Sequence, residues 1–423
     1  MVSHNNKNTF PMHLVDLDEA AQIERKVAAG PALIPSSSRH LGEEANETVK
    51  ASVSTVGVDV EKQILSALKK APKEANVSHE GRINIVTQVD YVKEALCVKY
   101  NEDCEYIGVG YNDGKIRVYN SVTGKELFVL CDSDVDNKRS PVTSIKHKPV
   151  SKVYPVTNCF TGTCIKLTVD ANGCVKCWSY LFNQCLYTIK EKRQTFGITY
   201  HPRVPKFVTY GDDCKVLFYD EETKTRERVL MASDDRNVHD GHMSRVFAAC
   251  FHPRNNYELI TGGWDNVVHF WDLRQPHAVR HVSGVHMCGE GLDINMKGTE
   301  ILTCAFQTPD PLQIFDYGSG KRISCIEPDI HSCKLYCGRF ATKDFIVTGG
   351  TDPNLLRVID MHTITTMANV NNLPGAIYSL DLGPTKRRIE KPKEHSGRPK
   401  SDISLVPKVA IVSAKRLYQL EFY

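Results

Sequence analysis

The sequence predicts an all-β chain of seven repeated four-stranded units closed into a ring, carried behind a separate N-terminal arm. Three observations predict it. From Arg82 to Tyr423, short apolar runs alternate with polar positions between turn residues, the period-2 pattern of strands. An aromatic or large apolar residue closes a strand at Tyr119, Trp178, Tyr219, Trp271, Phe315, Ile359 and Phe422, which marks seven units. The last unit supplies only three strands, over residues 376–382, 408–412 and 416–423, while the strand run at residues 82–88 has no unit of its own. Pairing the two closes the ring and leaves no open edge between units.

Residues 1–80 lack alternation and are rich in Ala, Ser, Glu and Lys. Residues 16–29 read as a short helix, with Ile23 and Val27 one turn apart and Gly30-Pro31 as the stop. Residues 59–72 read as a second, with Val60, Ile64 and Leu68 on one stripe. Neither stripe is wide enough to build a core, so the arm is expected to be disordered or to dock on a partner or on the ring.

The 53 Lys plus Arg balance 50 Asp plus Glu, so no global field steers the chain to nucleic acid or to a membrane. Fifteen cysteines in so long a chain, without an apolar signal core at residues 1–12, point to reduced thiols and an intracellular, cytoplasmic setting. Cys97, Cys250 and Cys304 fall inside strands, where a thiol acts as a small buried hydrophobe. Cys174-x-x-Cys177 has zinc-like spacing, but residues three apart on a strand point to opposite faces, and no second ligand pair stands nearby. No apolar run reaches the length of a membrane helix.

The most complete unit runs from Asp240-Gly241-His242 to Trp271-Asp272-Leu273-Arg274. Between those ends lie strands at residues 246–251, 258–261 and 267–271, with Gly262-Gly263-Trp264-Asp265-Asn266 as a tight turn. This stretch resembles one repeat of the WD-repeat family, which opens at Gly-His and closes at Trp-Asp. The resemblance covers residues 82–423 and implies a seven-bladed β-propeller, with residues 82–88 completing the last blade. It also implies a buried hydrogen-bond chain through Trp271, Thr261, His242 and Asp265, which would fix the blade's register because buried polar groups must be paired. The other blades keep parts of that chain, Thr209 with Asp213 and Thr348 with Asp352, and lack the Gly-His opening, so they are expected to lean on apolar packing. Tight turns recur at Asn112-Asp113-Gly114, Ala171-Asn172-Gly173 and Asp212-Asp213, residues that accept turn geometry.

Chemistry finds no support. Gly108-x-Gly110 lies in a strand, whereas a dinucleotide site needs its glycines to open a helix. No nucleophile elbow, zinc-protease helix or kinase loop is present, and the His242, Thr261, Asp265 set belongs inside the blade without an oxyanion site. No enzyme, cofactor or metal is therefore expected.

Recognition by loops on a rigid ring remains. In the propeller architecture, the interblade loops and the second-to-third-strand turns share one face, the top. There the reading places Asp132, Asp134, Asp136, Asp234, Asp235 and an exposed Trp264, a composition suited to a basic peptide. The bottom carries Arg274, in a Trp-Asp-Leu-Arg sequence that resembles the short box of propellers serving as substrate receptors of cullin-RING ubiquitin ligases. It also carries a basic insertion at residues 385–405 with Lys386, Arg387, Arg388, Lys391 and Lys393, expected to be disordered and suited to a nuclear import role or an acidic surface such as a microtubule. Nucleic acid is disfavoured, because no RNA-reading motif or aromatic interleaving accompanies it. Other proteins are the expected partners, in a non-catalytic scaffold that assembles a complex. The alternatives are the ligase receptor and a cytoskeletal, ciliary or nucleic-acid-associated binder.

Overall fold

Inner strands buried on both faces and outer strands buried on one set the layout of each blade. The inner strand Thr195–Tyr200 and its neighbour Lys206–Gly211 are almost continuously buried, whereas the outer strand Ala278–Ser283 alternates between half-buried and exposed positions. A computed structural model describes residues 77–149, 158–165, 173–235, 238–389 and 403–422. The helices expected at residues 16–29 and 59–72 lie outside these residues.

Seven antiparallel sheets follow in chain order, blades 1 to 7, at residues 95–130, 142–191, 195–230, 246–283, 292–325, 334–371 and 377–422. Their first strands pack side by side in a closed cycle around a central axis. Blade 7 takes its fourth strand from the start of the ring. Ile83–Asp90 pairs antiparallel with Arg416–Phe422, from Ile83 opposite Phe422 to Asp90 opposite Arg416. Ile83 and Phe422 are both fully buried in one core cluster with Leu356, Val358 and Ile411, so the closure is apolar as well as hydrogen-bonded.

Two features depart from the expected layout. Ser78–Gly81, in the stretch read as arm, is a fifth strand on the outside of blade 6, pairing with Thr365–Asn371. The basic insertion begins as ladder rather than loop. Ile377–Ile389 and Ile403–Ser413 stay paired out to Ile389 opposite Ile403, so Lys386, Arg387 and Arg388 lie on a strand. Lys391 and Lys393 lie outside the described residues.

Among the described residues, no helix is long and apolar enough to cross a membrane.

Candidate functional site

Blade 4 holds the hydrogen-bond chain in full. Trp271 Nε1–H donates to Thr261 Oγ1 at 2.7 Å, and the Thr261 hydroxyl meets His242 Nε2 at 2.7 Å. His242 Nδ1 lies 2.8 Å from Asp265 Oδ2. The Asp265 carboxylate can only accept, so the imidazole carries its proton on Nδ1 toward it, and Nε2 is left to accept from the Thr261 hydroxyl. Thr261 is 0% exposed, so no substrate can reach this His, Asp and Thr set as it stands. His269, opposite Thr261 in the ladder, is buried with Nδ1 unpartnered, and burial first, then the neighbouring His242, lower its pKa to about 3.

Blade 3 corrects the expectation of apolar packing. Glu191 stands five residues before Phe196, as His242 does before Phe247, and accepts from the Thr209 hydroxyl at 2.7 Å and the Tyr219 hydroxyl at 2.8 Å. Arg193 links the rest: its Nε reaches Glu191 at 2.7 Å, Nη2 reaches Thr209 at 2.6 Å and Nη1 reaches Asp213 at 2.8 Å. Burial alone would raise the Glu191 carboxyl; Arg193, Thr195 and Thr209 together hold it below the usual range. The buried Glu191–Arg193 pair thus takes the place of the His, and Tyr219 that of the Trp.

The top face is built by a repeated distortion. In six blades the ladder between the first and second strands slips at the second or third inner-strand residue, turning Leu96, Thr143, Phe196, Phe247, Tyr336 and Tyr378 out of register. A β-bulge re-aims a side chain in this way. Opposite three of the bulges sit Gly211, Gly263 and Gly350, where a Cβ would come within 2.0–2.2 Å of the carbonyl oxygens of Gln194, Arg245 and Lys334. The glycines are needed for that close backbone approach.

The bulged aromatics form two runs. Phe196 stacks on Phe247 at 4.8 Å between centroids, Phe247 on Trp264 at 5.5 Å, and Trp264 on His286 at 6.2 Å. Phe306 meets Tyr336 at 4.9 Å, and Tyr336 meets Tyr378 at 5.0 Å. Arg245 lies 4.9 Å over the Trp264 ring and Lys334 5.3 Å over Phe306, both within cation–π reach. Trp264 is therefore not the exposed anchor read from the sequence. It is half-buried, and its Nε1–H points at Cys288 Sγ, 3.0 Å away.

The acidic residues are also placed differently from the expectation. Asp132 caps a short helix, Ser133–Lys138, by accepting from the Val135 amide at 2.9 Å, and its other oxygen meets Lys176 at 2.5 Å. Asp134 lies 3.5 Å from the same Lys176, and Asp136 pairs with Lys115 at 2.7 Å. Asp132 and Asp134 share Lys176 and Asp136 pairs with Lys115, yet Asp136 stays exposed, as do Asp234 and Asp235.

Below, Arg274 is 68% exposed in its side chain, forked onto Asp272 at 2.6 Å and lying 4.8 Å over the Tyr257 ring. Through the axis, Glu290, which leads into blade 5, crosses to blade 2, where Ser144 donates to it at 2.5 Å and Lys146 pairs with it. Lys99 and Asp381 pair beside it at 2.6 Å. The channel is thus bridged by charge pairs.

A family model, "WD domain, G-beta repeat", matches residues 232–272, the stretch that contains the complete hydrogen-bond chain. That match falls on one blade of a seven-bladed ring. This chain is a seven-bladed propeller with a WD repeat in blade 4. Among curated relatives, it is 24% identical over 260 residues to "Cilia- and flagella-associated protein 52" of Chlamydomonas reinhardtii, covering 53% of this chain and 38% of that protein. It is 24% identical over 177 residues to "Pre-mRNA-processing factor 19" of Mus musculus, covering 41% of this chain and 32% of the relative. It is 26% identical over 145 residues to "Ribosome biogenesis protein WDR12 homolog" of Anopheles gambiae, covering 34% and 31%. The matched stretches therefore span about a third of the relatives' own length. Propellers of this family are generally non-catalytic protein-interaction modules.

Proposed function

We propose that this propeller is a non-catalytic platform that holds proteins of a larger assembly together, and that a partner's extended segment lies on the aromatic band of the top face. The observation that carries the reading is the band itself. Bulges in blades 3, 4, 6 and 7 turn Phe196, Phe247, Tyr336 and Tyr378 toward one face, where the half-buried Trp264, Phe306, Arg245 and Lys334 cover the nearly buried Phe196, Phe247 and Tyr336 rings. Aromatic and Arg side chains gathered at the centre of a rigid face are what interface hot spots are made of. Relatives named for ciliary, pre-mRNA-processing and ribosome-biogenesis roles support an assembly function of this general kind. With the Asp132 and Asp134 carboxylates paired to Lys176 and Asp136 paired to Lys115, the band favours an apolar or aromatic segment over a strongly basic one. Affinity purification of the full chain against an Arg245→Ala, Phe306→Ala variant tests it: partners are lost from the variant while its melting temperature stays within a few degrees.

A second reading rests on Arg274, whose exposure on the bottom face suits docking to a ubiquitin-ligase adaptor. Arg274→Ala would then remove that adaptor alone and leave top-face partners bound.

A further inference from the structure

Blade 6 repeats the architecture of blade 4 with one member missing. In blade 4, Leu259 pairs with Trp271 and Thr261 with His269; in blade 6, Ile346 pairs with Ile359 and Thr348 with Arg357. Thr348 thus stands where Thr261 does, and Ile359 stands in the place of the indole. His331 precedes the bulged Tyr336 by five residues, as His242 precedes Phe247, and Asp352 holds the turn. His331 is exposed rather than folded inward: its amide donates to Asp329 at 2.9 Å and its carbonyl accepts from Arg357. The Thr348 hydroxyl is left 0% exposed with no hydrogen-bond partner.

The space that this leaves is real. A cavity of about 530 Å³ opens between blades 5 and 6, with Thr348 and Ile359 in its lining, apolar walls from Pro309, Ile326 and Leu335, and His331 beside them. A buried hydroxyl without a partner costs free energy until a donor or acceptor reaches it. The same protein shows what satisfies a threonine at this position, because in blade 4 the donor is an indole N–H at 2.7 Å.

We propose that the cavity between blades 5 and 6 is a receptor site for a tryptophan side chain presented by a partner's extended segment, with its indole N–H donating to Thr348 and completing the blade. Arg322 pairs with Asp310 at 3.0 Å and Arg357 with Asp329 at 2.6 Å, while Glu327 stays exposed at the rim. A Lys or Arg next to the tryptophan therefore complements the rim charge. This proposal rests on reading the ring as a protein platform, and its test addresses the cavity alone.

The test is a titration of the methyl-labelled full chain with N-acetyltryptophanamide, followed by NMR, with N-acetylphenylalaninamide as the control that lacks the donor. The expected result is saturable shifts at the Ile359, Ile326 and Thr348 methyls, with weaker binding of the phenylalanine analogue. Thr348→Val should weaken the tryptophan analogue roughly five- to tenfold, the worth of one hydrogen bond. Ile359→Trp should supply the indole from inside, abolish binding and raise the melting temperature. Absence of saturable shifts at these methyls, equal binding of the two analogues, or no effect of Thr348→Val overturns the proposal. Those outcomes would leave the aromatic band, which the Arg245 and Phe306 variant tests, unaffected.

Discussion

The same substitution at equivalent positions in two blades should have opposite consequences. Thr261→Val in blade 4 removes the one oxygen that joins Trp271 Nε1 and His242 Nε2, both at 2.7 Å. Trp271 is 1% exposed and His242 2%, so neither group can turn to water instead. A buried group left unsatisfied costs about 1–3 kcal/mol, and two of them, less the small gain from a buried methyl, cost about 2–5 kcal/mol. In a ring of this size each kcal/mol is worth about 2 °C, so the melting temperature should fall by about 4–10 °C. Thr348→Val in blade 6 removes a buried hydroxyl that has no protein partner and so itself costs about 1–3 kcal/mol, and should raise the melting temperature by about 2–6 °C. Differential scanning calorimetry of the two purified variants beside the parent measures both. Equal losses, or a silent Thr261→Val, would refute the claim that the hydrogen-bond chain, rather than packing around the threonine, holds blade 4.

Three further outcomes follow from the geometry. Arg193→Leu strands the Glu191 carboxylate in blade 3 beside Thr209 and Tyr219, and should cost about 3–5 kcal/mol in denaturant unfolding; a loss under 1 kcal/mol would show that Glu191 simply takes a proton. Deleting residues 82–88 removes most of the strand that closes blade 7 and should abolish cooperative unfolding, so a truncated chain that melts like the parent contradicts the closure. Stability should also fall with acid. His147 and His201 have pKa values lowered to about 4 and His269 to about 3, each mainly by burial. The unfolded chain therefore binds more protons than the folded one below about pH 6.5, so the contribution of these histidines is full above that pH and is lost between about 6.5 and 4 for His147 and His201 and down to about 3 for His269. A melting temperature that stays flat or rises across that window would contradict their neutral burial.

The sequence carried the ring and hid much of its surface. Period-2 alternation and the strand-closing residues gave seven blades, and the count of strands in the last one pointed to residues 82–88, because those signals are local. The chain through Trp271, Thr261, His242 and Asp265 was legible because blade 4 keeps every residue type that the family resemblance names. Blade 3 was not, since Glu191 and Arg193 do the same task with different chemistry and only the fold brings them to Asp213. The top face was misread for a related reason. Asp132 and Asp136 announce charge, but their partners come from a distant strand (Lys176) and from a turn of blade 1 (Lys115), so their pairing could not be judged from composition. The aromatic band escaped because each bulge shifts register by one residue, placing Phe196 and Phe247 where simple alternation gives no warning. A signal was there: Thr-x-Gly at Thr209, Thr261 and Thr348 places the glycine opposite the bulge.

The most direct measurement of the central claim is affinity purification with mass spectrometry of the intact chain in parallel with two variants, Arg245→Ala with Phe306→Ala on the top face and Arg274→Ala on the bottom, each first matched to the parent in melting temperature. A platform that works through the aromatic band predicts that the top-face variant loses the specific partners and the bottom-face variant keeps them. Retention of every partner by the top-face variant, or their loss only from Arg274→Ala, would contradict it.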